Sequence, residues 1–313
     1  MKILITGGAG FIGSNLAHHV RDEHPDAEIR VIDDLSTGDE ANLEGAGVRF
    51  VQATVLDSTA LDDVMTGIDS VIHLAALGSV PRSVADPMAT HHANATGTLA
   101  VLESARRCGV DHLVAASSSS VYGGNTKLPK NEQDWTRPLS PYAVSKLATE
   151  GYVNAFRTTY GMQTLAFRFF NVFGPRQSAG HVYAAVIPKF VDAALSGEAV
   201  VVHGDGRQSR DFTFVRSVTQ VLLAAAERRT SSPDPVNLAY GTNTSLLELL
   251  TAMEQALDTS IARNHVSPRV GDVRDSQADG RSIRETFPDL EPVNFTAGLR
   301  ETIRWYQTRK PRA

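Results

Sequence analysis

Apolar residues in this chain recur as short, nearly unbroken runs, separated by stretches with helical periodicity. Lys2–Thr6, IRVID ending at Asp33, VRFVQA, SVIHLAA ending at Ala75 and Ala76, HLVAA and TLAFRFF read as six strands covered on both faces, because a half-exposed strand would alternate polar and apolar residues. SNLAHHVRDEH stopping near Pro25, LDDVMTG, Asn94–Gly109 and Pro141–Tyr160 read as the helices between them. This alternation predicts an α/β fold with a doubly wound parallel sheet. After Gly174 the alternation loosens into a Pro/Gly-punctuated stretch. IPKFVDAALSG, SVTQVLLAAAERR, SLLELLTAMEQAL and Glu301–Trp305 are then expected as helices and AVVVHGDG as a short strand and turn, with Trp305 expected to pack.

The carboxyl ends of the strands carry the candidate chemistry. The first strand runs into Gly7-Gly8-Ala9-Gly10-Phe11-Ile12-Gly13 and then a helix. Gly7 would permit a tight turn, Gly10 would let the backbone approach a pyrophosphate, and Gly13 would let helix and strand pack closely, as in a Rossmann-type nucleotide site. A glycine-rich turn alone is a weak signal. Here Asp33 follows the last glycine by about twenty residues, where a carboxylate accepts hydrogen bonds from an adenosine ribose and repels a 2′-phosphate, so NAD is preferred to NADP.

The fifth strand runs into Ser117, Ser118, Ser119 and Ser120, and the next helix places Tyr142 and Lys146 four residues apart on one face. An ammonium one turn away, with the positive charge of a bound cofactor, would favour the phenolate of Tyr142. Lowering a phenol pKa from about 10 by about three units takes roughly 4 kcal/mol. Ser118 is placed to share the proton. By themselves, Tyr and Lys four apart are ordinary helix-surface residues. Gly7, Asp33, Ala76, Ser118 and Asn171 all fall at strand carboxyl ends, however, and that convergence points to coupled proton and hydride transfer.

Composition narrows the classes. At 313 residues the chain can bury a real core in one large or two modest domains. With 30 basic and 35 acidic residues, net charge −5 and no block of like charge, nucleic acid is not an expected partner. Cys108 is the only cysteine and the ten histidines lack zinc-site spacing, so neither a disulfide nor a metal is expected. Neither a leader nor an apolar run near the roughly 18 residues of a membrane span is visible, and a cytoplasmic protein is expected.

TGGAGFIGSNLA, DDLSTG, SSSSVYG, YAVSK and FRFFNVFGPRQ together resemble the extended short-chain dehydrogenase/reductase family, in its branch of NAD-dependent sugar-nucleotide epimerases and dehydratases. The resemblance runs from Met1 to about Tyr306. HLAALGSVPRSVADP, AASSSSVYG and FNVFGPRQSAGHVYAAVIPKF are most similar to bacterial UDP-N-acetylglucosamine 4-epimerases, relatives of the UDP-glucose 4-epimerases.

The resemblance implies Ser118 and Tyr142 as the catalytic pair, and Lys146 as the ligand of the nicotinamide ribose that tunes Tyr142. It implies an NAD that stays tightly bound and is regenerated each cycle. The cofactor would lie along Gly7, Gly10, Phe11, Ile12 and Gly13, along Asp33, Asp34, Leu35, Ser36, Thr37 and Gly38, and along Leu74, Ala75 and Ala76. Relatives commonly carry an acid near the adenine, where this chain has Ala53-Thr54-Val55, so different adenine contacts are expected. Residues 1–173 would form the NAD-binding domain, with 212–240 returning to it. Residues 174–211 and 241–313 would form a smaller C-terminal α/β lobe that binds a UDP-sugar.

In that lobe the resemblance implies Arg210 and Arg269 as diphosphate ligands, Asp272 as a uridine-ribose contact, and Val186 and His203 as walls of the uracil pocket. Ser83, Asn94 and Asn171 resemble sugar-pocket positions. Ser276 stands where strict UDP-galactose epimerases carry a bulky tyrosine, which leaves room for an N-acetyl group. Ser178 stands where many glucuronate epimerases carry the arginine that pairs with the sugar carboxylate. An unpaired buried carboxylate is costly, so glucuronate is less favoured, though Arg82 and Arg176 keep that reading open.

Ser119 and Ser120 supply no acid for a dehydratase, and there is no Glu near the Val-Tyr-Gly turn for a decarboxylase. The expected activity is C4 epimerisation of a UDP-hexose, by a homodimer joined through helices 94–109 and 141–160. A non-catalytic NAD-binding protein would show damage in the Ser-Tyr-Lys set, and that set is intact.

Overall fold

A computed structural model of the chain describes residues 1–180, 184–268 and 274–309. Seven strands form one wholly parallel sheet: β1 (Lys2–Thr6), β2 (Glu28–Asp33), β3 (Arg49–Gln52), β4 (Ser70–His73), β5 (His112–Ser118), β6 (Gln163–Phe169) and β7 (Val236–Leu238). Their order is β7-β6-β5-β4-β1-β2-β3. The chain winds outward from β1 in one direction and from β4 in the other, so the strand order reverses between them. A crevice opens at that point.

Successive side chains on a strand point to opposite faces, and both faces are covered. Ile3, Ile5, Val31, Ile72, Val114 and Leu165 enter one buried cluster, with α1 (Phe11–Glu23) and the later helix Val215–Glu227 over them. Leu4, Ile32, Val71, Leu113 and Ala166 enter the other, under α2 (Ser58–Met65), α3 (Gly97–Arg107) and α4 (Pro141–Tyr160). This two-sided burial is why the strands read as unbroken apolar runs.

All six expected strands form, with shifted ends. β4 stops at His73 although the apolar run continues to Ala76. One of its two partners, β1, turns away at Gly7, whose φ is +69°, and the β1 pairing ends at Thr6–His73. β5 instead continues through Ser118 because β6 runs alongside it, with Ser118 opposite Phe169. The helix expected over 94–109 is α-helical only at Gly97–Arg107 and is preceded by a π-turn at His92–Thr96. β7 has only three residues, too few to register as a run in the sequence.

A second cluster of short elements sits beyond the β5 and β6 ends. Asn171–Phe173 pairs with Phe212–Phe214, Val200–His203 with Arg263–Val266, and Ser209–Arg210 with both Thr244–Ser245 and Asp275–Ser276. The longer helices of the rest of the chain are α5 (Val186–Leu195), α6 (Val215–Glu227), α7 (Leu246–Leu257) and α8 (Phe295–Arg309). Phe173, Phe190, Phe212, Phe214, Leu249, Leu250 and Leu299 form the core of this lobe.

Candidate active site

A cavity of about 1290 Å³ runs along the carboxyl ends of β1, β2, β4, β5 and β6. A single small-molecule site occupies roughly 300–1,000 Å³, so this volume has room for a dinucleotide and a second ligand.

The turn after β1 forms one wall. A Cβ on Gly7 would lie 2.6 Å from the Ala75 nitrogen, and one on Gly13 would lie 2.4 Å from the Gly7 carbonyl oxygen. The turn therefore packs as closely as bare backbone allows. Gly10 precedes α1 and has no side chain to cap it, which leaves the first N–H groups of the helix facing the cavity. Asp33, at the end of β2, accepts from the Ala9 amide at 3.0 Å and from the Leu35 amide at 2.9 Å. Burial pushes its carboxyl up from the usual range, and these backbone hydrogen bonds oppose the shift. Asp34, Leu35, Ser36, Thr37 and Gly38 continue that wall, Leu74, Ala75 and Ala76 form the opposite one, and Ala53, Thr54 and Val55 close the end beside β3.

The reactive set is assembled by α4 and β5. Ser140 caps α4 by accepting from the Ala143 amide at 3.1 Å, Pro141 occupies the first turn, and Gly161 ends the helix in the left-handed region. Tyr142 is thus the second helical residue, where the positive end of the helix dipole favours an anion. Lys146, one turn on, is 5% exposed and donates to the Ala116 carbonyl at 2.9 Å. Ser118, at the end of β5, lines the same cavity as Tyr142. Tyr142 is half-buried but closely surrounded. Burial pushes its phenol above 10, the Ser118 hydrogen bond opposes that shift, and Lys146 is not among the causes. Burial alone lowers Lys146 to about 8.

A family model described as the NAD dependent epimerase/dehydratase family matches residues 3–239. The chain belongs to that family. Across the family, UDP-glucose 4-epimerase from Mycolicibacterium smegmatis is 34% identical over 321 residues, covering 99% of both chains. The solved UDP-N-acetylglucosamine 4-epimerase from Methanobrevibacter ruminantium, in complex with UDP-N-acetylmuramic acid, superposes with a TM-score of 0.92 at 35% identity, covering 99% of each chain. UDP-glucose 4-epimerase from Thermus thermophilus, solved with NAD, gives a TM-score of 0.87 at 31% identity, covering 98% of this chain and 99% of its own. Family dehydratases and decarboxylases match over similar lengths.

The other residues singled out in the sequence are distributed as follows. Asn171 lines the cavity with Arg82, Arg176 and Ser178. Ser83 is fully buried and donates to the Val80 carbonyl at 2.7 Å. Asn94 is spent on the fold: it accepts from the Leu77 amide at 2.8 Å and donates to Ser145 Oγ at 2.9 Å. Arg210 and Ser276 are register partners in adjacent short strands. Val186 begins α5 and packs on the lobe core, and His203 ends the strand Val200–His203. Arg269 and Asp272 lie outside the described residues. Trp305 packs on the lobe core as expected and also lines the cavity with Tyr306.

Two groups escaped the sequence reading. Glu150, buried on α4, is held by Arg168 on β6 and by the Ser117 hydroxyl. The spacing Tyr142, Lys146, Glu150 at steps of four was the available signal, because it puts all three on one helix face. Asp211 is fully buried and accepts from the Gly241 amide at 3.0 Å, the Ala278 amide at 3.1 Å and the Thr242 hydroxyl at 2.7 Å. It joins three segments of the lobe that are far apart in sequence, which no local pattern reveals. Among the described residues no His/Cys/Asp/Glu group could hold a metal ion, and no helix is long and apolar enough to cross a membrane.

Proposed function

We propose that this protein epimerises a UDP-hexose at C4, with UDP-N-acetylglucosamine and UDP-glucose as the favoured substrates and NAD as a resident cofactor. The observation that carries the reading is that Ser118, Tyr142 and Lys146 line one cavity, with Lys146 one turn along the helix from Tyr142 and only serines, valine and tyrosine in the Ser119–Tyr122 turn that follows Ser118. The glycine turn, the uncapped start of α1 and Asp33 fit a dinucleotide: backbone N–H groups for its diphosphate and a carboxylate for its adenosine ribose.

When bound, NAD supplies reversible acceptance of the C4 hydride. Tyr142 Oη takes the proton of the C4 hydroxyl and later returns it. The Ser118 hydroxyl donates to the oxygen that becomes the ketone. Lys146 would hold the nicotinamide ribose, and the positive charge of the bound cofactor would favour the phenolate that burial alone disfavours. A 4-keto sugar held through its UDP can turn and be reduced on its opposite face, so no net oxidation accumulates.

The turn beside Ser118 offers no carboxylate to remove a second proton, which disfavours elimination. Ser178 in the cavity wall brings no charge to a sugar carboxylate, which disfavours glucuronate, while Arg82 and Arg176 in the same cavity keep it as the second reading. Val84, Met88, Val144 and Tyr160 expose apolar side chains on and beside α4, in keeping with a homodimer joined through this helix.

The test is a product assay on purified protein without added NAD. UDP-N-acetylglucosamine, UDP-glucose and UDP-glucuronate are offered separately, and each is resolved from its C4 epimer. Inversion of the acetamido or neutral sugar is expected. Turnover of glucuronate alone, or a product that has lost water, would overturn the substrate assignment.

A further inference from the structure

Arg176 has no assigned role in holding the neutral or acetamido sugar. It follows Pro175 in the segment after β6 and lines the same cavity as Gly10, Phe11, Ile12 and Gly13. Its Nη1 donates to Asn15 Oδ1 at 3.3 Å. Asn15 in turn donates to the carbonyls of Pro175 at 2.9 Å and Phe11 at 2.8 Å. Helical side chains lean toward the helix N-terminus, so this tether holds the guanidinium beside the first turn of α1. Its proximity is felt along that helix, where its charge helps lower the pKa of His18.

Two features make Arg176 unusual as a structural residue. It is half-buried and no carboxylate lies within ion-pair distance of it among the described residues, while burial and the charge of Arg309 both lower its pKa. Its φ is +66°, a conformation that costs a non-glycine residue energy. The described non-glycine residues with such φ divide cleanly: Arg229 and Asp258 follow helix ends, whereas Leu35, Ser79 and Arg176 all line the cavity. The glycine turn, meanwhile, contains no cation of its own.

We propose that Arg176 is a diphosphate ligand of the dinucleotide, reaching the start of α1 from outside the β1–α1 turn and supplying the charge which that turn lacks. The inference rests on the reading of this cavity as an NAD site and adds a residue to it. A guanidinium suits a diphosphate because its fork of donors can engage two oxygens at once.

The test uses Arg176→Gly, which keeps the left-handed backbone without strain, and Arg176→Lys, which keeps the charge but not the fork. Bound NAD is released from purified holoenzyme into a coupled-dehydrogenase trap, at low and at high salt, and UDP affinity is measured alongside. Loss of one charge-assisted hydrogen bond should speed NAD release from the glycine variant by about 10- to 100-fold. The lysine variant should fall between, and the salt dependence of release should flatten in Arg176→Gly. NAD release within twofold of wild type would overturn the proposal, and weaker UDP binding in its place would assign Arg176 to the substrate. Wild-type protein that neither carries NAD nor takes it up would overturn the parent reading, and this inference with it.

Discussion

The carboxylate of Glu150 is gripped at both oxygens by Arg168, with Nε to Oε1 at 2.9 Å and Nη2 to Oε2 at 2.8 Å, and neither side chain is more than 9% exposed. Ser117, next to Ser118, donates to the same carboxylate, and Arg168 also lies 4.7 Å from the Tyr122 ring centroid. The face of α4 that carries Tyr142 and Lys146 is thereby fastened to the ends of β5 and β6. Glu150→Gln would leave the Arg168 charge buried without its counterion, and breaking a buried pair in this way costs about 3–5 kcal/mol. Denaturant unfolding should show that loss. Ser117→Ala keeps the ion pair and should cost no more than about 1.5–3 kcal/mol, the range for a hydrogen bond to a charged group.

Tyr142→Phe removes the proton carrier and leaves the packing of the ring. Its kcat should fall by about 10²–10⁴-fold, the usual size of an acid–base contribution, while the purified protein keeps its NAD. Ser118→Ala should lower kcat by about 10²–10³-fold as a lost oxyanion donor, with a smaller effect on KM. A variant of either residue that retained near wild-type kcat would remove the residue from the mechanism.

Gly13→Ala would drive a methyl group to 2.4 Å from the Gly7 oxygen and 2.6 Å from the Gly8 Cα, both backbone atoms that cannot yield as a side chain would. The glycine turn must shift, and the variant should purify without NAD while still folding. Cofactor absorbance after denaturation and circular dichroism separate the two effects.

His73 is fully enclosed, with Nδ1 2.8 Å from Thr6 Oγ1 and Nε2 3.1 Å from Thr98 Oγ1, and burial pushes its pKa down to about 3 from the ordinary 6.5. The folded imidazole stays neutral while the unfolded one protonates below pH 6.5. Its stabilisation is therefore complete above that pH and is lost as pH falls toward about 3. Between neutral pH and about pH 5 the loss is about 2 kcal/mol, from roughly 1.5 units at about 1.36 kcal/mol each. The stability gap between wild type and His73→Gln should narrow by that amount over this range, as read from unfolding curves at the two pH values.

The sequence alone was enough for whatever depends on local period and spacing. Two-sided burial writes parallel strands as apolar runs, so six strands and the main helices were legible. The GxxGxxG turn, Asp33 and the Tyr142–Lys146 step followed, because their chemistry needs fixed separations along one or two elements. Tertiary structure decided the rest. The ends of β4 and β5 depended on what their neighbours did, and the three-residue β7 exists because β6 offers it an edge. Asn94 bonds Leu77 across 17 residues and Ser145 across 51, contacts that no local pattern in the sequence reveals. Arg176 and Asn15 are 161 residues apart, and Asp211 reaches Ala278 across 67. Such contacts have no period to read, because they form only when independently folded segments meet.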